Sequence, residues 1–300
     1  MRLFEPAPES EAAPPGPLCR VMLLVAYEGT SFHGFAPQGG QRTVAGLLAA
    51  ALGAMAGHEV SLTCAGRTDA GVHASAQVVH ADLDEEVVQK WGKRRPEPGS
   101  VLERLGRSLS RQLGPAVAVL EARVAPSGFD ARHSALARRY RYSLLRTPWP
   151  DPLLQHCSWH VPGPLDLAAM RVGADAFLGE HDFSAFCRLP PGESPPVTRR
   201  VLSVDWSRSA GDERVWLFEI EANAFCHQMV RSIVGTLVGV GQGRLPAGEM
   251  LATIRGGDRS RAGQPAPAKG LCLVAVRYPE GLVPGGTWLP GSGDWVAAAP

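Results

Sequence analysis

The chain has 300 residues, enough for about two domains, and its composition, 45% hydrophobic and 20% charged, is that of a globular protein. A formal net charge of +1 excludes attraction to a polyanion by overall charge, and no stretch approaches the roughly 18 consecutive apolar residues of a membrane span. The opening MRLFEPAPESEAAPPGP lacks a basic region followed by an apolar one, so a cytoplasmic protein is expected.

Six cysteines (19, 64, 157, 187, 226 and 272) show no CxxC or Cys/His ligand spacing. That predicts reduced thiols, with neither a metal site nor a disulfide framework. Lys90, Lys93 and Lys269 are the only lysines, which leaves Arg for the other basic positions. Arg clusters at Arg132, Arg138, Arg139 and Arg141, apart from the acidic Asp82, Asp84, Glu85 and Glu86. Its planar fork suits phosphates and stacks on bases.

Residues 1–17 and 282–300, rich in Pro with Ala and Glu or Gly, show no periodicity and predict disordered tails. VMLLVAY (21–27) reads as a buried strand. After a Gly-containing loop, Thr43 can cap a helix whose Val44, Leu47, Leu48 and Met55 share one face. Val60, Leu62 and Cys64, then Ala76, Val78 and Val79, predict two strands flanking the loop CAGRTDAGVH (64–73). A polar stretch over 82–100 precedes a helix with Leu102, Leu105, Leu109 and Leu113 at spacings of three and four, and AVAVLEARV (116–124) supplies a strand.

The order is βαββαβ, and the second half repeats it. RRYRYSLL (138–145) alternates as a strand, LDLAAMRVGADAFLG (165–179) predicts a helix stopped by Gly179, and VLSVDW (201–206) pairs with VWLFEIEANAF (215–225). HQMVRSIVGTLVGVG (227–241) predicts an apolar helix and LCLVAVRY (271–278) a closing strand. RLPPGESPPVTRR (188–200), dense in Pro, predicts an exposed loop. The expected fold is α+β: two ferredoxin-like or RNA-recognition-like halves, 18–126 and 127–281, around a largely antiparallel sheet with a central cleft.

The loop at 64–73 concentrates the chemistry. Arg67 and Asp69 lie two positions apart between Gly66 and Gly71, and a forked donor beside a carboxylate orients it as a nucleophile or general base. A turn built by Thr68 and Asp69 with a solvated Arg67 reads equally from these residues alone. In the 129–142 cluster, alternation puts Tyr140 and Tyr142 on one strand face and Arg139 and Arg141 on the other. The tyrosines can stack on a ligand or fill the core. His181 and Asp182 stand just past a helix end, where capping serves as well as function. Arg231, in an apolar helix, needs an anionic partner: Asp69, a phosphate or a structural carboxylate.

AGRTDAGVHASAQV, FDARHSALARRYRY, FLGEHDFSAF, FCHQMVRSIVGTLVGVGQG and AGQPAPAKGL, in this order, resemble the successive motifs of the tRNA pseudouridine synthase A family, over roughly residues 21–278. The resemblance implies a cofactor-free isomerase, with no metal, that converts uridines 38, 39 and 40 of the tRNA anticodon arm to pseudouridine as a homodimer. By motif position Asp69 matches the nucleophile, Arg67 the Arg beside it, Tyr140 the Tyr at the target uracil, and Arg231 a second Arg near the Asp. Contacts with tRNA are expected from Phe129, Arg132, His133, Arg139, Arg141, Arg188, Arg199, Arg200 and Lys269.

The chain departs from the family pattern at Glu28, Phe35, Ala36, Ser232 and Pro265, and in RSLSRQLGP (107–115); no catalytic group is lost. The chemistry fits the residues: isomerisation breaks one glycosidic bond and forms another, so it asks for a covalent partner and an aromatic wall for a flipped base, not for a dinucleotide or phosphate loop. A non-catalytic RNA-binding protein or tRNA-folding helper of the same fold is the alternative, and an RNA hydrolase would want a second carboxylate or a His pair.

Overall fold

The computed structural model describes residues 17–93, 101–189, 192, 197–282 and 287–288. Apart from Pro17, Leu282 and a two-residue strand, the expected tails fall outside them, as does most of the Pro-rich centre of 188–200. The strands are β1 (Leu18–Tyr27), β2 (Thr63–Cys64), β3 (His73–Asp84), β4 (Val117–Val124), β5 (Ala137–Leu145), β6 (Trp159–His160), β7 (Gly179–Asp182), β8 (Thr198–Arg208), β9 (Val215–Ala222), β10 (Leu271–Arg277) and β11 (Thr287–Trp288). The α-helices are α1 (Val44–Ala56), α2 (Glu85–Lys93), α3 (Val101–Leu113), α4 (Leu167–Asp175), α5 (Met229–Gly241) and α6 (Met250–Gly256).

The described strands join in one sheet, ordered β4-β1-β3-β10-β5-β9-β8-β7, with β2 on β3, β6 on β5 and β11 on β10. Pairing is antiparallel except for β5 with β6 and for a short parallel seam between β3 and β10, where Cys272 faces His73 and Leu273 faces Ala74. That seam joins strands 199 residues apart (272 minus 73) and makes the sheet continuous.

Local chemistry accounts for most boundaries. Thr43 caps α1 by accepting from the Gly46 N–H at 3.2 Å, and Gly57 ends the helix with φ 83°. On α3, Leu105 and Leu109 are fully buried and Leu102 and Leu113 nearly so. The expected strand at 201–206 begins earlier, so Thr198–Arg200, read as loop, belong to β8.

Three other expectations are corrected. The polar stretch after residue 82 holds the end of β3 and the helix α2. Asp82 turns outward and meets the Arg20 guanidinium of β1 at 2.7 and 2.8 Å, while Glu85 and Glu86 occupy the first turn of α2, where the helix dipole favours anions. The helix at 165–179 shortens to α4: Asp166 caps the Ala169 N–H at 2.9 Å, and Gly179, at φ 97°, opens β7. Cys187 and Cys226 are paired in a disulfide with Cα atoms 5.7 Å apart. A separation of 39 residues left no spacing signal; what brings them together is the turn before α5 packing on the segment after β7.

Two loops pack on the site with almost no clearance. A Cβ on Gly29 would lie 2.0 Å from the Val72 carbonyl oxygen, and one on Gly235, in α5, would lie 1.9 Å from the Gln264 carbonyl oxygen. The loop 261–270 is thereby pressed onto α5, with the Gly263 N–H donating to Thr236 Oγ1 at 2.8 Å. Gly235→Ala is expected to push that loop off the helix and to cost about 1–3 kcal/mol, the usual range for overpacking; a denaturant titration against the parent protein measures it.

Candidate active site

The loop between β2 and β3 is held from beneath by a buried network. Gln77 Nε2 donates to the Gly66 carbonyl at 2.6 Å and to the Tyr27 hydroxyl at 3.3 Å. Tyr27 then has its proton free for Thr68 Oγ1, 2.8 Å away. Burial raises the Tyr27 pKa, so this phenol remains a donor. From the side, the Phe35 N–H donates to the Thr68 carbonyl at 3.1 Å and the Gly71 N–H to the Phe32 carbonyl at 3.3 Å. Gly34 takes φ 87°, and a Cβ there would lie 2.8 Å from the Thr68 carbonyl oxygen. His73 closes the other flank: Nδ1 accepts from the Gly29 N–H and Nε2 donates to the Lys269 carbonyl, both at 2.9 Å.

This frame presents Asp69 to a cleft of about 910 Å³ bounded by the β2–β3 loop, the start of β5 and the turn leading into α5. The cation fixed to Asp69 comes from α5. Arg231 Nη1 lies 3.3 Å from Asp69 Oδ2, while its Nε donates to the Ala266 carbonyl at 2.7 Å. On the opposite oxygen, His227 Nε2 lies 3.6 Å from Oδ1. Among the described residues Arg231 is the cation paired with Asp69, and His227 is the other basic side chain beside it. Arg67, expected to supply the fork, is instead exposed and lines the cleft. Of the three readings left open for Arg231, the structure selects Asp69.

Tyr140 lies on the cleft floor, 7% exposed, with its ring edge-on to Phe225 at 5.1 Å between centroids. Burial, reinforced by the negative charge of Asp69, raises its pKa, so the hydroxyl keeps its proton at neutral pH. Tyr142, on the same strand face, is fully buried and donates to the Pro267 carbonyl at 2.8 Å. The two tyrosines thus divide the alternatives: one faces the cleft and the other fills the core. Cys64 also lines the cleft, but burial pushes its thiol up to about 11 against the opposing pull of Arg67 and Arg132. It is no rival nucleophile at neutral pH.

Arg138 has a part that the sequence reading did not assign. Its guanidinium donates to the carbonyls of Ala65 at 2.8 and 3.1 Å, Arg132 at 2.7 Å, Asn223 at 2.9 Å and Ala135 at 3.1 Å. It therefore ties the base of the Asp69 loop to β5 and to the end of β9. Alternation carried the signal, since Arg138 shares a face with Tyr140. No local signal marked Tyr27 or Gln77.

The candidate RNA contacts separate by position. Arg132 and Arg199 line the cleft, and His133, Arg188 and Arg200 are exposed. Arg139 and Arg141 project from the other face of β5 and pair with Glu221 and Glu219 of β9, each at 2.7 Å; Arg277 joins Glu221 at 3.0 Å. Lys269 is half-buried and does not line the cleft. Phe129, expected at the RNA, is fully buried against His80 and Tyr278 and packs in the core. Asp182 is structural: its Oδ1 accepts from the N–H groups of Ser184 and Val197, both at 2.9 Å. Among the described residues no cluster of three or more metal-ligating side chains occurs.

A family model described as tRNA pseudouridine synthase matches residues 174–279. The tRNA pseudouridine synthase A of Leifsonia xyli subsp. xyli is 44% identical over 270 residues, spanning 87% of this chain and 92% of that protein. The protein of the same name from Frankia casuarinae is 44% identical over 264 residues, spanning 87% and 90%; that from Solidesulfovibrio magneticus is 42% identical over 290 residues, spanning 92% and 96%. With identity of that order over nearly the whole length, this chain belongs to the tRNA pseudouridine synthase A family.

Gln77→Leu keeps the side-chain volume but leaves the part-buried Gly66 carbonyl and the buried Tyr27 hydroxyl without their donor. It is expected to lower stability by about 1–3 kcal/mol, read from a thermal or denaturant melt.

Proposed function

We propose that this chain converts uridines 38, 39 and 40 of the tRNA anticodon arm to pseudouridine, with Asp69 as the nucleophile. The observation that carries the reading is Asp69 itself, a carboxylate set in a cleft on a loop fixed by Gln77, Tyr27 and Thr68, with a pinned guanidinium on Oδ2 at 3.3 Å. The five ordered motifs supply the substrate positions, and family membership supplies the reaction class.

The isomerisation breaks the bond from ribose C1′ to N1, turns the uracil, and joins C1′ to C5. C5 loses a proton and N1 gains one, so the atoms balance without a redox partner. A carboxylate supplies the covalent partner that keeps one fragment in place while the other turns. Arg231, with Nε committed to Ala266, fixes the rotation of that carboxylate in advance. Tyr140 offers its ring to the extruded base, and its retained proton makes it a hydrogen-bond donor rather than a phenolate base. Arg67, Arg132 and Arg199 line the cleft and suit the phosphates on either side of the target.

The expected arrangement in two halves, 18–126 and 127–281, is supported by the strand order. Within it β4-β1-β3-β2 and β10-β5-β9-β8 repeat one pattern, with β3 and β10 meeting beside the Asp69 loop. An extruded uridine would enter at that junction.

Asp69→Asn preserves shape and removes the charge. It should retain the fold and tRNA binding while pseudouridine in the anticodon arm falls below detection; residual activity within about tenfold of the parent, about 1.4 kcal/mol in barrier, would refute the assignment. A parent protein that itself formed no pseudouridine would point to the non-catalytic alternative. Tyr140→Phe should keep tRNA affinity but slow single turnover by about 10² or more, the lower end of what a positioned proton donor contributes. An unchanged rate with a depressed melting temperature would make Tyr140 a packing residue only.

A further inference from the structure

The two oxygens of Asp69 are not equivalent. Oδ2 faces Arg231, whose side chain is 17% exposed and held by the Ala266 carbonyl, so that contact is built into the fold. Oδ1 faces His227, whose side chain is 50% exposed at the cleft. At 3.6 Å the imidazole Nε2 stands just beyond hydrogen-bond range, a spacing common in unoccupied sites that tighten on loading.

The backbone at His227 is fixed with unusual care for a turn. Its carbonyl accepts from the Arg188 N–H at 2.9 Å. Its predecessor, Cys226, is bridged to Cys187. Its successor, Gln228, takes φ 64°, the one positive φ at a non-glycine residue among those described. Such a conformation persists only where the surroundings over-determine it, and it clusters at functional sites. Three constraints on three successive residues of the cleft lining converge on one side chain beside Asp69.

We propose that His227 is a positioning residue of this site, orienting the Asp69 oxygen that Arg231 leaves free. The inference rests on the reading of Asp69 as nucleophile. With Arg231 on one oxygen and His227 on the other, the plane of the carboxylate is set, and Oδ1, on the open side, is the atom presented to the substrate. A general nucleic-acid contact would act on affinity; this role acts on rate.

The test compares His227→Ala, His227→Asn and Asp69→Asn, each as the full-length chain, for single-turnover pseudouridine formation on a tRNA transcript, tRNA affinity and melting temperature. His227→Ala should slow single turnover by about 10–10², the scale of a misplaced reacting group, with affinity within about twofold and the melting temperature unchanged. His227→Asn, whose amide can still donate, should recover part of the loss. A His227→Ala rate within about threefold of the parent, or a loss that follows affinity or melting temperature, would overturn the proposal. With Asp69→Asn inactive, that result leaves the nucleophile assignment standing, whereas pseudouridine formed by Asp69→Asn would overturn both.

Discussion

One guanidinium organises the functional end of this molecule. Arg231 reaches from the first turn of α5 to Asp69 in one direction and to the Ala266 carbonyl in the other, and its own carbonyl accepts from the Ala266 N–H at 2.9 Å. A helix, a loop from the far end of the chain and the loop after β2 are thereby locked together through one side chain. A charge part-buried on an apolar helix is costly unless it is paired and hydrogen-bonded, and here both conditions hold. The cost explains the specificity: losing either loop would leave the Arg231 guanidinium on α5 short of a partner.

The sheet serves this arrangement by bringing together residues that are distant in sequence. The short β3–β10 seam begins at His73, four residues after Asp69, and His73 spans Gly29 on one side and Lys269 on the other. Charge is handled differently on the two faces of β5. On the cleft face Arg138 is satisfied by carbonyls alone, and burial lowers its pKa. On the opposite face Arg139 and Arg141 are matched by glutamates of the neighbouring strand. On β5, positive charge is thus matched by glutamates on one face and held by main-chain carbonyls at Arg138 on the other.

What the sequence made legible was periodicity. The core of β1, the four leucines of α3 and the cap at Thr43 follow from spacing and side-chain chemistry alone, and the structure places them as read. Elements whose formation depends on contacts elsewhere were not legible. α2 begins with two glutamates and reads as a polar connection, and β7 is four residues whose pairing with β8 defines it as a strand. At the site, the local setting singles out Asp69 and offers Arg67 as its forked donor, while Arg231 has Asp69 as only one of three possible partners. The observed partner, Arg231, is 162 residues away. Local sequence cannot rank a near guanidinium against a distant one; packing decides. The same holds for the Cys187–Cys226 bridge and for Phe129, which sits in a motif yet belongs to the core.

The contact between Gly235 and the loop at 261–270 bears on how this chain can change over generations. Where a single carbon is prohibited, the helix position cannot drift unless the facing backbone moves with it. The loop, in turn, is held by its main chain: Gln264 meets Gly235 through its carbonyl, and Ala266 meets Arg231 through its carbonyl and N–H. Its outward side chains, such as the exposed Arg261 and Gln264, carry little of that contact. Such a segment is expected to tolerate new side chains and to resist insertions or deletions, since it is the path of the main chain that makes the contacts.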